Sequence, residues 1–268
     1  MTLFDIVVLA LIQGITEFLP ISSSGHLILW PLLTGRTDQG VTMDVAVHLG
    51  TLAAVMLFFR ADMLRLMAGS MDVLRGRFNA PDGSLAILIA VATVPAVCAG
   101  LALKLTGAMD SLRSIEVIGW ATLIGGVLLW LADRIGAETK RGDSWTLRGA
   151  VLMGLAQAVA LIPGTSRSGA CMTMARALGF ERSEAARLAL LMAVPTILAA
   201  GLVETAGVVG DGAFRLGAEL ALGAVLSFLA ALAALWAMMQ MFAQSWTMTP
   251  FVIYRLLLGT GLLLYAYS

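Results

Sequence analysis

The sequence predicts an all-α polytopic membrane protein, with six full transmembrane helices and two re-entrant helical hairpins in an inverted-topology repeat. Composition is the first reason: 59% of the 268 residues are hydrophobic and 13% charged, with mean hydropathy +0.91. Soluble domains carry roughly 25% charged residues. The second is that apolar runs repeatedly approach the ~20 residues needed to cross a bilayer, while the short alternating strands of a β-barrel are absent. The third is a pair of polar interruptions, around residues 13–26 and 157–169, that match each other without a gap.

In chain order, residues 3–18 form a helix-compatible apolar arm that stops at Pro20 and a serine run. Sixteen residues rise only about 24 Å, short of a hydrocarbon core of about 30 Å. A second short arm, 26–35, ends at Gly35. Two short arms around a Pro/Ser/Gly tip fit a re-entrant hairpin, tolerable at depth only where protein or a wet cavity surrounds it. Residues 41–59 form a full span, and 60–84 is expected to be a basic loop with a turn at Pro81-Asp82-Gly83. Spans follow at 84–104 and 115–132. A second interrupted pair covers 148–162 and the stretch to Gly179, broken at Pro163-Gly164-Thr165-Ser166-Arg167-Ser168-Gly169. Three more spans fit 185–206, 216–243 and 250–267.

Gln13 matches Gln157, Ser22 matches Ser166, Ser24 matches Ser168 and Gly25 matches Gly169, at a constant offset (157 − 13 and 169 − 25 both give 144). The chain thus reads as one membrane domain over 1–268, with repeats of approximately 1–133 and 145–268. Each repeat is a hairpin followed by three spans. Three is odd, so the second copy enters the membrane from the opposite side, and paired interruptions point to a shared midplane site. The positive-inside rule places 60–84, 133–148, Arg176, Arg182 and Arg187 in the cytoplasm. Arg36, Lys104, Arg113 and Arg215 fall on the other side, where both termini then lie. Loop 244–249 is assigned inside although it carries no Lys or Arg.

A formal net charge of zero gives no basic surface for nucleic acid. Cys98 and Cys171 are far apart in apolar segments, which argues against a disulfide framework or zinc site and for small buried hydrophobes. The start, Met-Thr-Leu-Phe-Asp, lacks a basic n-region and no cleavage site follows, so a cleaved signal peptide is not expected. Met and Trp residues read as lipid-facing, interfacial or packing groups.

Polar chemistry at membrane depth is costly and marks function. Serines ahead of a helical arm act as N-caps and leave free amides aimed at the tip. Ser22, Ser23 and Ser24 do so in the first tip and Thr165, Ser166 and Ser168 in the second, and Gly25, Gly164 and Gly169 join them as candidate phosphate-binding positions. Two such helix starts favour a phosphate, and Arg167 adds a planar fork suited to its oxygens. Glu17 follows Gln13 by four residues on one helix face, and this carboxylate and carboxamide can ligate a hard divalent cation. His26 can move a proton near neutral pH. Asp44 and His48, at i and i+4, are candidates for an outer layer. Serine, base, metal and Arg clamp together make an inventory for phosphoryl transfer. A transporter with the same architecture, a small-anion carrier, is the alternative.

Gln-Gly-x-Thr-Glu-Phe-Leu-Pro-x-Ser-Ser-Ser-Gly-His and Pro-Gly-Thr-Ser-Arg-Ser-Gly resemble the two signature motifs of the bacterial undecaprenyl-diphosphate phosphatase, or bacitracin-resistance, family. The likeness extends over the whole chain in length, segment order and motif spacing. It implies an inner-membrane enzyme that removes one phosphate from the C55 isoprenoid diphosphate and so recycles the carrier for peptidoglycan. It further implies Mg²⁺ or Ca²⁺ and a site open to the periplasm. By resemblance, Glu17 matches the motif acid, Gln13 the preceding Glu/Gln position, Ser23 the proposed nucleophile, His26 the motif histidine and Arg167 the motif arginine. Glu17 would hold metal or accept a proton, and His26 would orient or protonate. Attack by metal-bound water, with Ser23 only binding phosphate, fits the residues too. Cys171 departs from the Thr common in the family, with Thr173 two residues on. The isoprenoid diphosphate and membrane lipids are the expected partners, and a homodimer is an admissible assembly. With this resemblance the transporter alternative becomes an isoprenoid-phosphate flippase or anion transporter.

Overall fold

The computed structural model describes residues 1–36, 39–108, 110–210 and 217–268, and Arg215 falls outside them. Among the described residues there are eleven α-helices and no strand: α1 Leu3–Thr16, α2 Ser23–Thr34, α3 Gly40–Phe58, α4 Arg60–Leu74, α5 Pro81–Thr106, α6 Ile115–Ile135, α7 Leu147–Val159, α8 Arg167–Ala177, α9 Arg182–Gly210, α10 Ala218–Ala243 and α11 Thr249–Tyr267. Six of these, α3, α5, α6, α9 (over Arg182–Glu204), α10 and α11, are long and apolar enough to cross a membrane.

The remaining helices include the interrupted pairs. At 14 and 13 residues, α1 and α7 rise only about 20 Å each, and each packs against the helix that follows it, α2 or α8. Thr2 starts α1 with a reciprocal capping box to Asp5, satisfying two amides that the first turn leaves without partners. Pro20 cannot continue a helix, so α1 stops before it. Gly35, in the left-handed conformation (φ 65), ends α2.

Segment 60–84 differs from its expected loop. Arg60–Leu74 is the helix α4, because the stretch is rich in Leu, Met, Ala and Arg, and its Met63 and Leu66 pack on the core. Gly69 lets α4 meet α5: a Cβ there would lie 2.0 Å from the Asp82 carbonyl oxygen. Pro81 starts α5 as its first residue, where its missing N–H costs nothing.

The core gathers on the first half of α9, where Ala185, Ala186 and Leu188 to Ala193 lie buried among α8, α3 and α5. Helix α10 packs on α3 and α1, α5 on α7, and α11 on α6. Outward, large apolar side chains such as Leu101, Leu155, Leu229 and Leu264 stay exposed, as a surface solvated by lipid requires.

One end of the bundle collects the arginines. Asp133 accepts from Arg182 Nε (2.7 Å), Arg176 Nε (3.3 Å) and the Met248 backbone N–H (3.0 Å). Arg176, fully buried, also donates to the carbonyls of Gly136, Ala137 and Phe180. Arg187 bonds Asp62 (Nε to Oδ2, 3.0 Å) and Glu184 (2.6 Å), and Arg65 bonds Asp82 (2.9 Å). The turn 244–249 therefore lies with the arginine-rich connections, tied there through Met248 rather than by a charge of its own.

Candidate active site

Both polar tips are built the same way. Ser22 and Ser166 precede α2 and α8 with φ of 76° and 70°, a region uncommon for residues with a side chain. Each caps its helix, Ser22 Oγ accepting from Gly25 N (3.4 Å) and Ser166 Oγ from Gly169 N (3.1 Å). Each hydroxyl also meets the one two residues on: Ser22 and Ser24 at 3.4 Å, Ser166 and Ser168 at 3.1 Å. The first-turn amides of Ser23, Ser24, Arg167 and Ser168 have no intrahelical partner by position, and so face the tips.

The tips meet. Ser168 Oγ donates to the Leu19 carbonyl (2.9 Å). A Cβ on Gly25 would lie 3.4 Å from Gly164 Cα. Gly164 takes φ 92, and a Cβ there would lie 2.5 Å from the Ile118 carbonyl oxygen, so the backbone passes where a side chain could not.

Glu17 is the hub. Buried at 6% exposure, its Oε2 accepts from Ser23 Oγ (2.6 Å) and Gln13 Nε2 (2.8 Å), and its Oε1 accepts from Arg167 Nη2. Arg167 also donates to the Ala193 carbonyl (3.3 Å). His48 Nε2 stands 3.7 Å from Glu17 Oε2, while its Nδ1 donates to the Asp44 carbonyl (2.7 Å). A buried carboxylate is costly unless paired and fully hydrogen-bonded; here one guanidinium and two neutral donors meet that need.

The structure thus brings Gln13, Glu17, Ser23 and Arg167 together, with Ser22, Ser166, Ser168, Gly25, Gly164 and Gly169 as their scaffold. Ser24 is exposed and Thr165 half-buried at the same tips. His26 points elsewhere: Nδ1 bonds the Ser22 carbonyl (2.6 Å) and Nε2 the Tyr254 hydroxyl (2.5 Å). Cys171 is buried in the core one turn into α8, whereas Cys98 is exposed on α5 rather than buried as expected. Thr173 Oγ1 bonds back to the Gly169 carbonyl (2.7 Å), which occupies its hydroxyl within the helix.

Sequence reasoning missed Arg255. Wholly buried on α11, it donates to the carbonyls of Pro20 (3.1 Å), Gly164 (3.2 Å), Thr122 (3.1 Å) and Ala121 (3.3 Å), so one guanidinium holds both tips. Its signal was a lone arginine inside an apolar span, which is a functional flag in itself. Gly125 makes room for it: a Cβ there would lie 2.1 Å from Arg255 Nη2.

The donors present also suit a hard cation. Gln13 Oε1 is buried with no hydrogen-bond partner, beside the Glu17 carboxylate. Among the described residues no cluster of three or more His, Cys, Asp or Glu is placed to hold a metal. Two protein oxygens match an ion that takes most of its shell from water and substrate phosphate.

A helical membrane bundle with a buried carboxylate, hydroxyl and guanidinium between two helix starts defines a membrane protein with a site suited to an anionic group. The chain belongs to the bacitracin resistance protein BacA family, whose model matches residues 6–261. It is similar over its full length to proteins named undecaprenyl-diphosphatase. Those of Roseobacter denitrificans and Jannaschia sp. are 51% and 54% identical over 268 residues, covering 100% of both chains. That of Maricaulis maris is 45% identical, covering 99% of each.

Proposed function

We propose that the chain is a membrane phosphatase that hydrolyses undecaprenyl diphosphate to undecaprenyl phosphate and inorganic phosphate, recycling the lipid carrier for wall synthesis and conferring bacitracin resistance. The observation that carries the mechanism is the Ser23 hydroxyl 2.6 Å from the buried Glu17 carboxylate, which Arg167 also holds. Ser23 Oγ attacks the terminal phosphorus and Glu17 accepts its proton. The bond from that phosphorus to the bridging oxygen breaks, and undecaprenyl phosphate leaves with the electron pair. Water then hydrolyses the phosphoserine, releasing inorganic phosphate and restoring the hydroxyl.

Charge spreads over three equatorial oxygens in such a transfer. Arg167 and the first-turn amides of α2 and α8 are positioned to meet it. Gln13 and Glu17 would hold the divalent cation, Mg²⁺ or Ca²⁺, which when bound neutralises phosphate charge. Ser22, Ser24, Gly25, Gly164, Thr165, Ser166, Ser168 and Gly169 form the phosphate cradle.

The two short helix pairs are read as re-entrant hairpins of an inverted repeat, a reading supported by α1 packing on α10 as α7 packs on α5. The arginine-rich end is taken as cytoplasmic in the bacterial inner membrane. That leaves both termini and the mouth of the first hairpin periplasmic. The relatives' names favour hydrolysis over the flippase or anion-carrier reading. Detergent-purified protein supplied with Mg²⁺ or Ca²⁺ should release phosphate from the C55 diphosphate; an inert preparation would contradict the reading.

A further inference from the structure

We infer that Tyr254 is a positioning residue for this reaction: through His26 it holds the Ser22 turn that aims Ser23 at Glu17. The inference rests on the reading of Ser23 as the nucleophile.

The two tips supply an internal comparison. Ser22 and Ser166 share an unusual positive φ (76° and 70°), and each turn needs hydrogen bonds to hold it. In the second tip those bonds are sound: the Ser166 carbonyl accepts from Ala170 N at 2.8 Å, and its hydroxyl from Gly169 N at 3.1 Å. In the first tip both are stretched to 3.4 Å, from His26 N and Gly25 N. The His26 side chain makes up the difference, its Nδ1 lying 2.6 Å from the Ser22 carbonyl. Position 170 carries Ala, which has no such donor.

A carbonyl oxygen can only accept, so Nδ1 carries the hydrogen, and a neutral ring then offers a lone pair at Nε2. Tyr254 Oη donates into it at 2.5 Å, and the two rings stack at 5.7 Å and 15°. Both ring nitrogens are therefore engaged away from Glu17. Tyr254 directly precedes Arg255, whose guanidinium holds the Pro20 carbonyl. Helix α11 thus grips the first tip at Pro20 and, through His26, at Ser22. Ser23 is the next residue, so any rotation of the Ser22 turn moves its hydroxyl off Glu17.

The test is kcat and KM for phosphate release from undecaprenyl diphosphate, with divalent cation present. The full chain in detergent is compared as wild type, Tyr254→Phe, His26→Ala, His26→Asn and the Tyr254→Phe/His26→Asn double variant. Rates are normalised to the folded fraction from thermal unfolding. Asn places an amide N–H near the position of Nδ1 and so can still reach the Ser22 carbonyl. Tyr254→Phe should lower kcat by about three- to tenfold, the scale of one hydrogen bond, with KM within about twofold. His26→Asn should recover at least about tenfold over His26→Ala, and adding Tyr254→Phe to it should change kcat less than about twofold. Three results would overturn the inference: wild-type kcat in Tyr254→Phe, His26→Asn no better than His26→Ala, or an undiminished Tyr254→Phe effect in the Asn background. Ser23→Ala in the same series keeps the two readings apart. Its survival would remove the nucleophile, while the Tyr254–His26 coupling is decided by the double variant.

Discussion

Arg167 crosses 150 positions of sequence to hydrogen-bond Glu17, seating the guanidinium of one polar tip on the carboxylate of the other. The pair is largely buried, with side-chain exposures of 17% and 5%, so neither charge is satisfied by water alone. Each tip is incomplete without the other, and what joins them is also what would grip the substrate.

Replacing Arg167 with Lys keeps the charge but loses the planar fork. The guanidinium now spans Glu17 and the Ala193 carbonyl, a division that a point-like ammonium cannot reproduce. Arg167→Lys should cut kcat/KM by about 10²-fold or more. Near-normal turnover in a phosphate-release assay would argue against the clamp.

Gln13 gives a prediction for the cation. Its Oε1 is buried and without a partner, while its Nε2 is spent on Glu17. Gln13→Leu removes the oxygen and should raise the Mg²⁺ or Ca²⁺ concentration for half-maximal activity by about tenfold. Chelation should silence the wild type, and added metal should restore it. An unchanged metal titration in Gln13→Leu would remove Gln13 from the cation site.

Gly164 tests the contact between tips. Its φ of 92° disfavours any side chain, and an added Cβ would meet the Ile118 backbone oxygen at 2.5 Å. Neither problem is relieved by a rotamer change. Gly164→Ala should cost about 2–4 kcal/mol of stability and lower activity, read as a fall in the thermal midpoint in detergent. A wild-type midpoint would mean that the tips have more room than this packing gives.

Arg255 separates charge from geometry. Arg255→Met leaves the Pro20 carbonyl without its guanidinium donor and takes one of two donors from Gly164, which keeps Thr122 Oγ1 at 3.2 Å. About 2–4 kcal/mol of stability should go with it. Arg255→Lys keeps a cation with fewer donors and should fall between Met and wild type in both midpoint and kcat/KM. Equal midpoints in all three proteins would show that the guanidinium does not hold the tips.

Much of this was legible in the sequence, for physical reasons. Apolar runs near 20 residues became the six long helices, because lipid allows little else. The serine runs became N-caps because Ser oxygens satisfy first-turn amides. The constant spacing of the tips pointed to one shared site, and the chemistry and motif resemblance of Glu17, Ser23 and Arg167 placed those residues in it; the contacts of Glu17 with Ser23 and Arg167 follow that grouping. Three things were hidden. The Arg60–Leu74 helix was masked by its charges, which read as a loop. The direction of His26 depends on Tyr254, a partner 228 positions away, which no local pattern encodes. Arg255 belongs to no motif, because its acceptors are backbone carbonyls and carry no sequence signature.

The central claim is that Ser23, activated by Glu17, is the group that takes the phosphate. The most direct measurement is mass spectrometry of purified protein quenched during turnover with undecaprenyl diphosphate. The account predicts a phosphoryl group on Ser23 that accumulates with substrate, and no phosphate release from Ser23→Ala. Turnover surviving in Ser23→Ala, with no adduct on the wild type, would contradict it and leave water as the attacking group.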